Sequence, residues 1–212
     1  MAAPRGVMTM KLYDGGRAPN PRRVRIFLAE KGITVPLEQV DIMKGEHKSE
    51  AFTSLNPMQR IPSLVLDDGT VISESIAICR YFEGVQPEPP LFGRDPIEHA
   101  LVEMWQRRIE FGLLMTIASA FRHTHPAMSE LEVPQVPDWG LANRRKVEEF
   151  LVFLDGYLEG REFLLGDYYS VADITGLVAL DFIRVPKIAV PEELENVRRW
   201  HGTLSARPSA AA

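Results

Sequence analysis

Apolar and polar positions alternate where the chain opens: Met8 to Tyr13 (MTMKLY) carries the period-two pattern of a strand covered on one face. The rhythm then lengthens. Val24, Phe27, Leu28 and Lys31 fall at i, i+3, i+4 and i+7, one face of a helix that begins near Pro19–Pro21 and stops at Gly32. Asn20 stands where a capping residue would serve. Val35–Val40 returns to strand, so the opening predicts a parallel βαβ unit. Two short apolar runs, Ser63–Leu66 and Thr70–Ile72, flank Asp67-Asp68-Gly69, the mark of a hairpin. A polar step, Glu74-Ser75, then leads into the helical stretch IAICRYFE.

Beyond residue 86 the pattern changes. Pro87, Pro89, Pro90 and Pro96 punctuate residues 86–96 and mark a linker, after which strand patterns disappear. Ile97, Leu101, Met104, Trp105 and Ile109 predict the buried face of a long helix reaching about Arg122. Residues 126–137 read as a proline-punctuated loop. Val147, Phe150, Leu151, Leu154 and Leu158 predict a second buried stripe, and Leu194, Val197, His201 and Leu204 outline the last helix. Ser170 and Asp173 form a capping box ahead of a further helix, the serine expected to cap the third helical amide. The expected architecture is α+β with two domains, a β-α-β-α-β-β-α domain over residues 8–86 and an all-helical one over 94–212.

Composition narrows the class without choosing a chemistry. With 212 residues, 45% hydrophobic and 25% charged, the chain resembles an ordinary globular protein. A net charge of −5 and the lack of a like-charge run give no reason to expect nucleic acid. No apolar run approaches the length of a membrane span, and MAAPRGVMTM lacks a signal-peptide core, so no membrane association and a cytoplasmic location are expected. Residues 1–7 are expected to fray. Cys79 is the single cysteine, which excludes an internal disulfide and a cysteine metal site; it reads as a small buried hydrophobe. No metal is expected.

Candidate chemistry gathers between Asn56 and Ser75. Ile61-Pro62 opens a strand, and a cis bond there would turn the Ile61 main chain outward, ready to pair with another extended backbone. Glu74 and Ser75 stand at a helix start, whose amides attract an anion. Together they describe a slot for a small peptide carrying a carboxylate, although Glu74-Ser75 also reads as a plain helix cap.

The stretch NP-x-x-x-IP-x-L, DDG, then SES-x-AI-x-RY, preceded by KGEHKSEAF, resembles the N-terminal half of a cytosolic glutathione transferase. GDYYS-x-AD-I resembles the folding signature of that family's C-terminal domain, so the likeness spans nearly the whole chain. It implies a thioredoxin-like first domain and a detoxifying enzyme that conjugates glutathione, its co-substrate, to small electrophiles. It further implies that Ile61, beside Pro62, pairs with the cysteinyl part, and that Glu74 and Ser75 meet the γ-glutamyl group. Gln59 and Arg60, with His47, are the candidates for the glycyl end; His47 reads equally as an exposed helical histidine. Arg17, Met115 and Ser119 are the candidates for the electrophile pocket. Related enzymes hold the thiolate with Tyr, Ser or Cys in the first loop, and here that loop offers none. The chain therefore resembles an atypical, yeast-type branch, with Asn20 and the helix start stabilising the thiolate and His123 helping to remove its proton. Asn20 as a mere cap and His123 as a solvated helix end are the bland alternatives. A homodimer is implied too, with Met58 as an apolar key. The rival reading from another class is a non-catalytic glutathione-binding protein for regulation or ligand storage.

Overall fold

The computed structural model describes residues 10–212, so the segment 1–7 and Met8 and Thr9 of the expected opening strand lie outside the described residues. The chain divides into two compact units at Pro89–Pro90.

The first unit runs β1 (Lys11–Asp14), α1 (Pro19–Lys31), β2 (Leu37–Gln39), α2 (Glu50–Leu55), β3 (Ser63–Val65), β4 (Val71–Ser73) and α3 (Ser75–Val85), with one 3-10 turn at Glu46–Lys48. This is the expected β-α-β-α-β-β-α order. The sheet order is β2-β1-β3-β4; β1 and β2 are parallel, while β3 is antiparallel to both β1 and β4. The predicted α1 stripe is buried in full, with Val24, Phe27 and Leu28 among the core residues alongside Leu12, Leu64, Ile78 and Phe82. The expected second strand shrinks to three residues because β2 is the sheet edge and all three of its side chains are exposed. Gly32 ends α1 in the left-handed conformation, its N–H returned to the last helical carbonyls.

Lys31 is the surprise on that stripe. It is a buried cation, with its Nζ 3.0 Å from the carbonyls of Gln86 and Pro87, 2.5 Å from that of Pro89 and 2.5 Å from Glu83 Oε2. A buried ammonium is tolerated only when it is paired and hydrogen-bonded in this way. It fastens the segment after α3 to the end of α1.

The second unit is all helical: α4 (Pro96–Ile109), a five-residue π segment (Glu110–Leu114), α5 (Met115–Thr124), α6 (Pro137–Tyr157), α7 (Val171–Phe182) and α8 (Glu195–Ser205). The single long helix expected from residue 97 is thus interrupted. Its buried face keeps Trp105 and Ile109 of the expected one and adds Val102 and Gln106, whereas Ile97 and Leu101 are 72% and 41% exposed. The face that meets α7 lies about a third of a turn from the stripe of Ile97 and Leu101. The α6 stripe is as expected at Val147, Leu151, Leu154 and Leu158, with Phe150 only half-buried.

The capping box forms as expected. Ser170 Oγ accepts from the third helical amide and also from that of Ala172 at 3.3 Å, and Asp173 returns to the Ser170 N–H at 3.0 Å. Asp173 also accepts from Leu164 N–H and Trp200 Nε1, both at 3.0 Å, so one carboxylate ties α7 to α8 and to the preceding turn. Burial pushes its carboxyl up to about 6 against the pull of those donors. Cys79 is buried as expected, and burial pushes its thiol up to about 12.

Candidate active site

The register of the sheet brings three chain segments to one end. Ser63, the first residue of β3, pairs with Tyr13 near the end of β1 and with Ser73 at the end of β4. The loop after Asp14, the pair Ile61-Pro62 and the start of α3 therefore emerge side by side. What distinguishes them is a set of polar main-chain groups left open.

Ile61-Pro62 is cis, and among the described residues the N–H and C=O of Ile61 take part neither in the ladder nor in another backbone bond. Asn56 braces the approach from within. Its Nδ2 donates to Arg60 O at 2.8 Å and to Ser63 Oγ at 3.1 Å, and its Oδ1 accepts from Met58 N–H at 3.0 Å.

At α3 the residue before the helix is Glu74, with φ 71° and no side-chain cap. A non-glycine residue in the left-handed region costs on the order of 1–3 kcal/mol, which is the mark of a constraint. Ser75 is buried and its hydroxyl makes no hydrogen bond among the described residues. The leading amides of α3 thus stand without helical or side-chain partners.

At α1 the cap position falls to Ala18, which has no side chain to offer, and not to Asn20. Asn20 is the second helical residue, exposed, with its Oδ1 accepting from Arg23 at 2.8 Å. Of the four leading amides, that of Ala18 is spent on Gly15 O at 3.0 Å, while Pro19 and Pro21 have none. The Asn20 main-chain N–H is the one remaining donor at the positive end of α1. The expected row of oriented amides is a single amide.

His47 is buried rather than exposed, 4% accessible, with its Nδ1 lacking a hydrogen-bond partner among the described residues. Burial, then Lys48 and Arg60, lower its pKa from the usual histidine value, so the ring is neutral and its open nitrogen awaits a partner. Arg60 is exposed beside it, whereas the Gln59 amide turns back to Thr53 Oγ1 at 3.0 Å and faces away from this role.

In the second unit Met115, Ser119 and His123 recur every four residues along α5 and so share one side of it. His123 has other employment. Its Nδ1 accepts from Val136 N–H at 3.1 Å, which places the hydrogen of the neutral ring on Nε2, 3.7 Å from Glu132. That engagement occupies the lone pair a general base would need. Gln135 adds bonds to the carbonyls of Arg122 and His125, so residues 125–136 are stapled to the end of α5. Arg17 is exposed in the loop ahead of α1.

Residues 18–85 match the glutathione S-transferase N-terminal domain and residues 134–208 the glutathione S-transferase C-terminal domain. The chain belongs to the glutathione S-transferase family. It is 38% identical to glutathione S-transferase 2 of Saccharomyces cerevisiae over 203 residues, covering 94% of this chain and 87% of the relative. The crystal structure of Gtt2 from the same yeast superposes with a TM-score of 0.90 at 37% identity, covering 95% of this chain and 98% of that one. A glutathione S-transferase domain-containing protein of Marinobacter aquaeolei is similar to the same degree, with TM-score 0.90, 40% identity and coverage of 94% and 98%. Within this transferase, the residues that sequence reasoning missed are Asn56, which shapes the turn before Ile61, and the pair Asp14 and Arg25 beneath the first loop. The Asn-Pro preceding Ile61-Pro62 was a signal for the former. An acid at a strand end and a base eleven residues on carry none.

Proposed function

We propose that this chain is a glutathione transferase, an enzyme that joins the thiolate of glutathione to small electrophiles. The observation that carries the reading is the convergence of open main-chain groups at one end of the sheet: Ile61 before β3, the uncapped start of α3, and the lone Asn20 amide of α1. An extended peptide finds in Ile61 a donor and an acceptor of its own kind. A carboxylate finds in Glu74-Ser75 a helix start and a free hydroxyl. The neutral, unpartnered His47 with Arg60 suits the second carboxylate of the tripeptide. These groups fit glutathione, which supplies the nucleophilic sulfur.

Ionisation is assigned to the start of α1. A thiol with an ordinary pKa near ~8.5 is mostly protonated at neutral pH. A helix N-terminus lowers such values. The Asn20 N–H is the group to meet the anion, and the proton leaves to water, because the His123 ring is committed to Val136. Met115 and Ser119 are proposed to line the electrophile's side of the reaction, with Arg17 from the first loop. The finer parts of the proposal are a detoxifying role, a cytoplasmic location and a homodimer. The dimer is supported by Met58, which is 69% exposed at the tip of the turn that Asn56 holds.

Turnover with glutathione and a chlorinated nitrobenzene tests the reading. The expected result is a rate well above the uncatalysed one. Equal rates over several electrophiles would overturn the transferase and leave a protein that only binds glutathione.

A further inference from the structure

The loop between β1 and α1 contains two glycines and exposes Gly16 and Arg17, yet it must aim a single amide. Beneath it lies a built cluster. Asp14, the last residue of β1, is 1% accessible. Its carboxylate forms a short ion pair with Arg25 and accepts from Gly16 N–H at 3.0 Å and Gln39 Nε2 at 2.9 Å. Arg25 reaches on to Gly16 O at 2.8 Å, so Gly16 is held by both its main-chain groups. Gly15 is packed so closely on Ile61 that a Cβ there would lie 1.9 Å from the Ile61 Cδ1. The loop is thereby bolted to α1, to β2 and to the residue that seats the tripeptide.

We propose that Asp14 and Arg25 are positioning residues for the ionisation of the thiol; the proposal rests on the transferase reading. They act in two ways. They fix where α1 begins and so where the Asn20 N–H points, since no capping side chain does so. Arg25 also neutralises a buried carboxylate that would otherwise oppose a second anion nearby. Neither residue is needed to hold the peptide portion of glutathione.

The test follows thiolate absorbance against pH in the glutathione complex, together with calorimetry of S-methylglutathione, which has no thiol to ionise. Arg25→Met is expected to raise the apparent thiol pKa by about one unit, tenfold less thiolate at a pH below it. S-methylglutathione affinity should stay within about threefold of wild type. Asp14→Asn combined with Arg25→Met removes the charge effect and should recover part of the shift, the remainder measuring the geometric effect. An unshifted pKa in Arg25→Met overturns the proposal, as does a loss of S-methylglutathione affinity without a pKa change, the signature of a merely structural pair. Should Arg25→Met fail to fold, Arg25→Lys decides: losing the bond to Gly16 alone should raise the pKa, and a wild-type value overturns the idea. A wild-type chain that does not bind S-methylglutathione would instead overturn the glutathione reading itself.

Discussion

Two kinds of helix start share this chain. At α7 the first turn is closed: Ser170 and Asp173 satisfy each other's backbone, and Asp173 takes up the Leu164 amide and the Trp200 indole besides. At α1 and α3 the first turn is open. Ala18 cannot cap, Glu74 does not cap and holds a left-handed backbone, and the donors they leave are unspent. The closed start holds the fold together, and the open ones are those proposed to meet the ligand. The difference teaches where to look for function: in donors that the protein had the means to satisfy and did not.

The comparison breaks first at its closed end. Asp173→Ala would orphan the Leu164 amide, the Ser170 amide and the Trp200 indole N–H in a buried place. Unsatisfied buried donors cost about 1–3 kcal/mol each, so chemical denaturation should show a loss of at least ~3 kcal/mol. A loss below ~1 kcal/mol would mean that the box is not what holds α7 and α8 together. At the open end, Ser75→Ala should leave stability unchanged. It should weaken glutathione binding by roughly ten- to a hundredfold, the worth of a hydrogen bond to a charged group. Unchanged affinity in calorimetry would make Ser75 a helix residue and nothing more.

A third substitution converts one kind of start into the other. Ala18→Asp supplies α1 with a cap, and because Pro21 has no N–H, the new carboxylate has only the Asn20 amide to bind. Thermal denaturation should show a gain of about 1 kcal/mol. The thiol pKa of bound glutathione should rise at the same time. Stabilisation without a change in thiol pKa would detach the Asn20 amide from the chemistry.

The smallest expected effect belongs to His47. Its pKa lies below the usual histidine value in the free protein, and an arriving carboxylate would raise it. Glutathione should therefore bind with uptake of a fraction of a proton, its affinity growing as pH falls toward the usual histidine value. His47→Ala should flatten that slope. The same depressed pKa acts oppositely on stability: the contribution of the neutral ring is complete above the usual histidine pKa and is lost as pH falls through the lowered one. Calorimetry in buffers of different ionisation enthalpy separates the two.

Much of this was legible in the sequence because it rests on local chemistry. The Ser170–Asp173 box, the Val24-Phe27-Leu28 stripe and the hairpin at Asp67-Asp68-Gly69 each depend on neighbours within one turn or one loop. The departures came from partners far along the chain. Lys31 looked like the edge of a stripe until the carbonyls after α3 were seen around it. His47, left open between a ligand contact and an exposed helical residue, is buried. On α4 the expected Trp105 and Ile109 are buried, but the helix turns Val102 and Gln106 inward with them and leaves the apolar Ile97 and Leu101 outside. In the proposed site, Ile61 and Ser75 could be named from their motifs. The isolation of the Asn20 amide needed the position of Ala18 as the cap.

The π segment at Glu110–Leu114 carries one consequence for how this chain tolerates length changes. A π turn houses one residue more than an α turn. Its formation leaves room for Gly112 against the Phe150 ring, where a Cβ would come within 2.5 Å. Thr116 Oγ1 closes it with bonds of 2.7 Å to the carbonyls of both Gly112 and Leu113. Deleting a single residue there would convert the segment to ordinary helix without breaking the rod. Everything downstream would keep its phase about the helix axis, because the turn would lose only the residue it houses in excess. Met115, Ser119 and His123 would stay on their shared side, and Val136 would keep the imidazole that receives its amide. The π turn is thus a length buffer for α5: the same deletion in the α-helical turns on either side would rotate every side chain beyond it by roughly 100°.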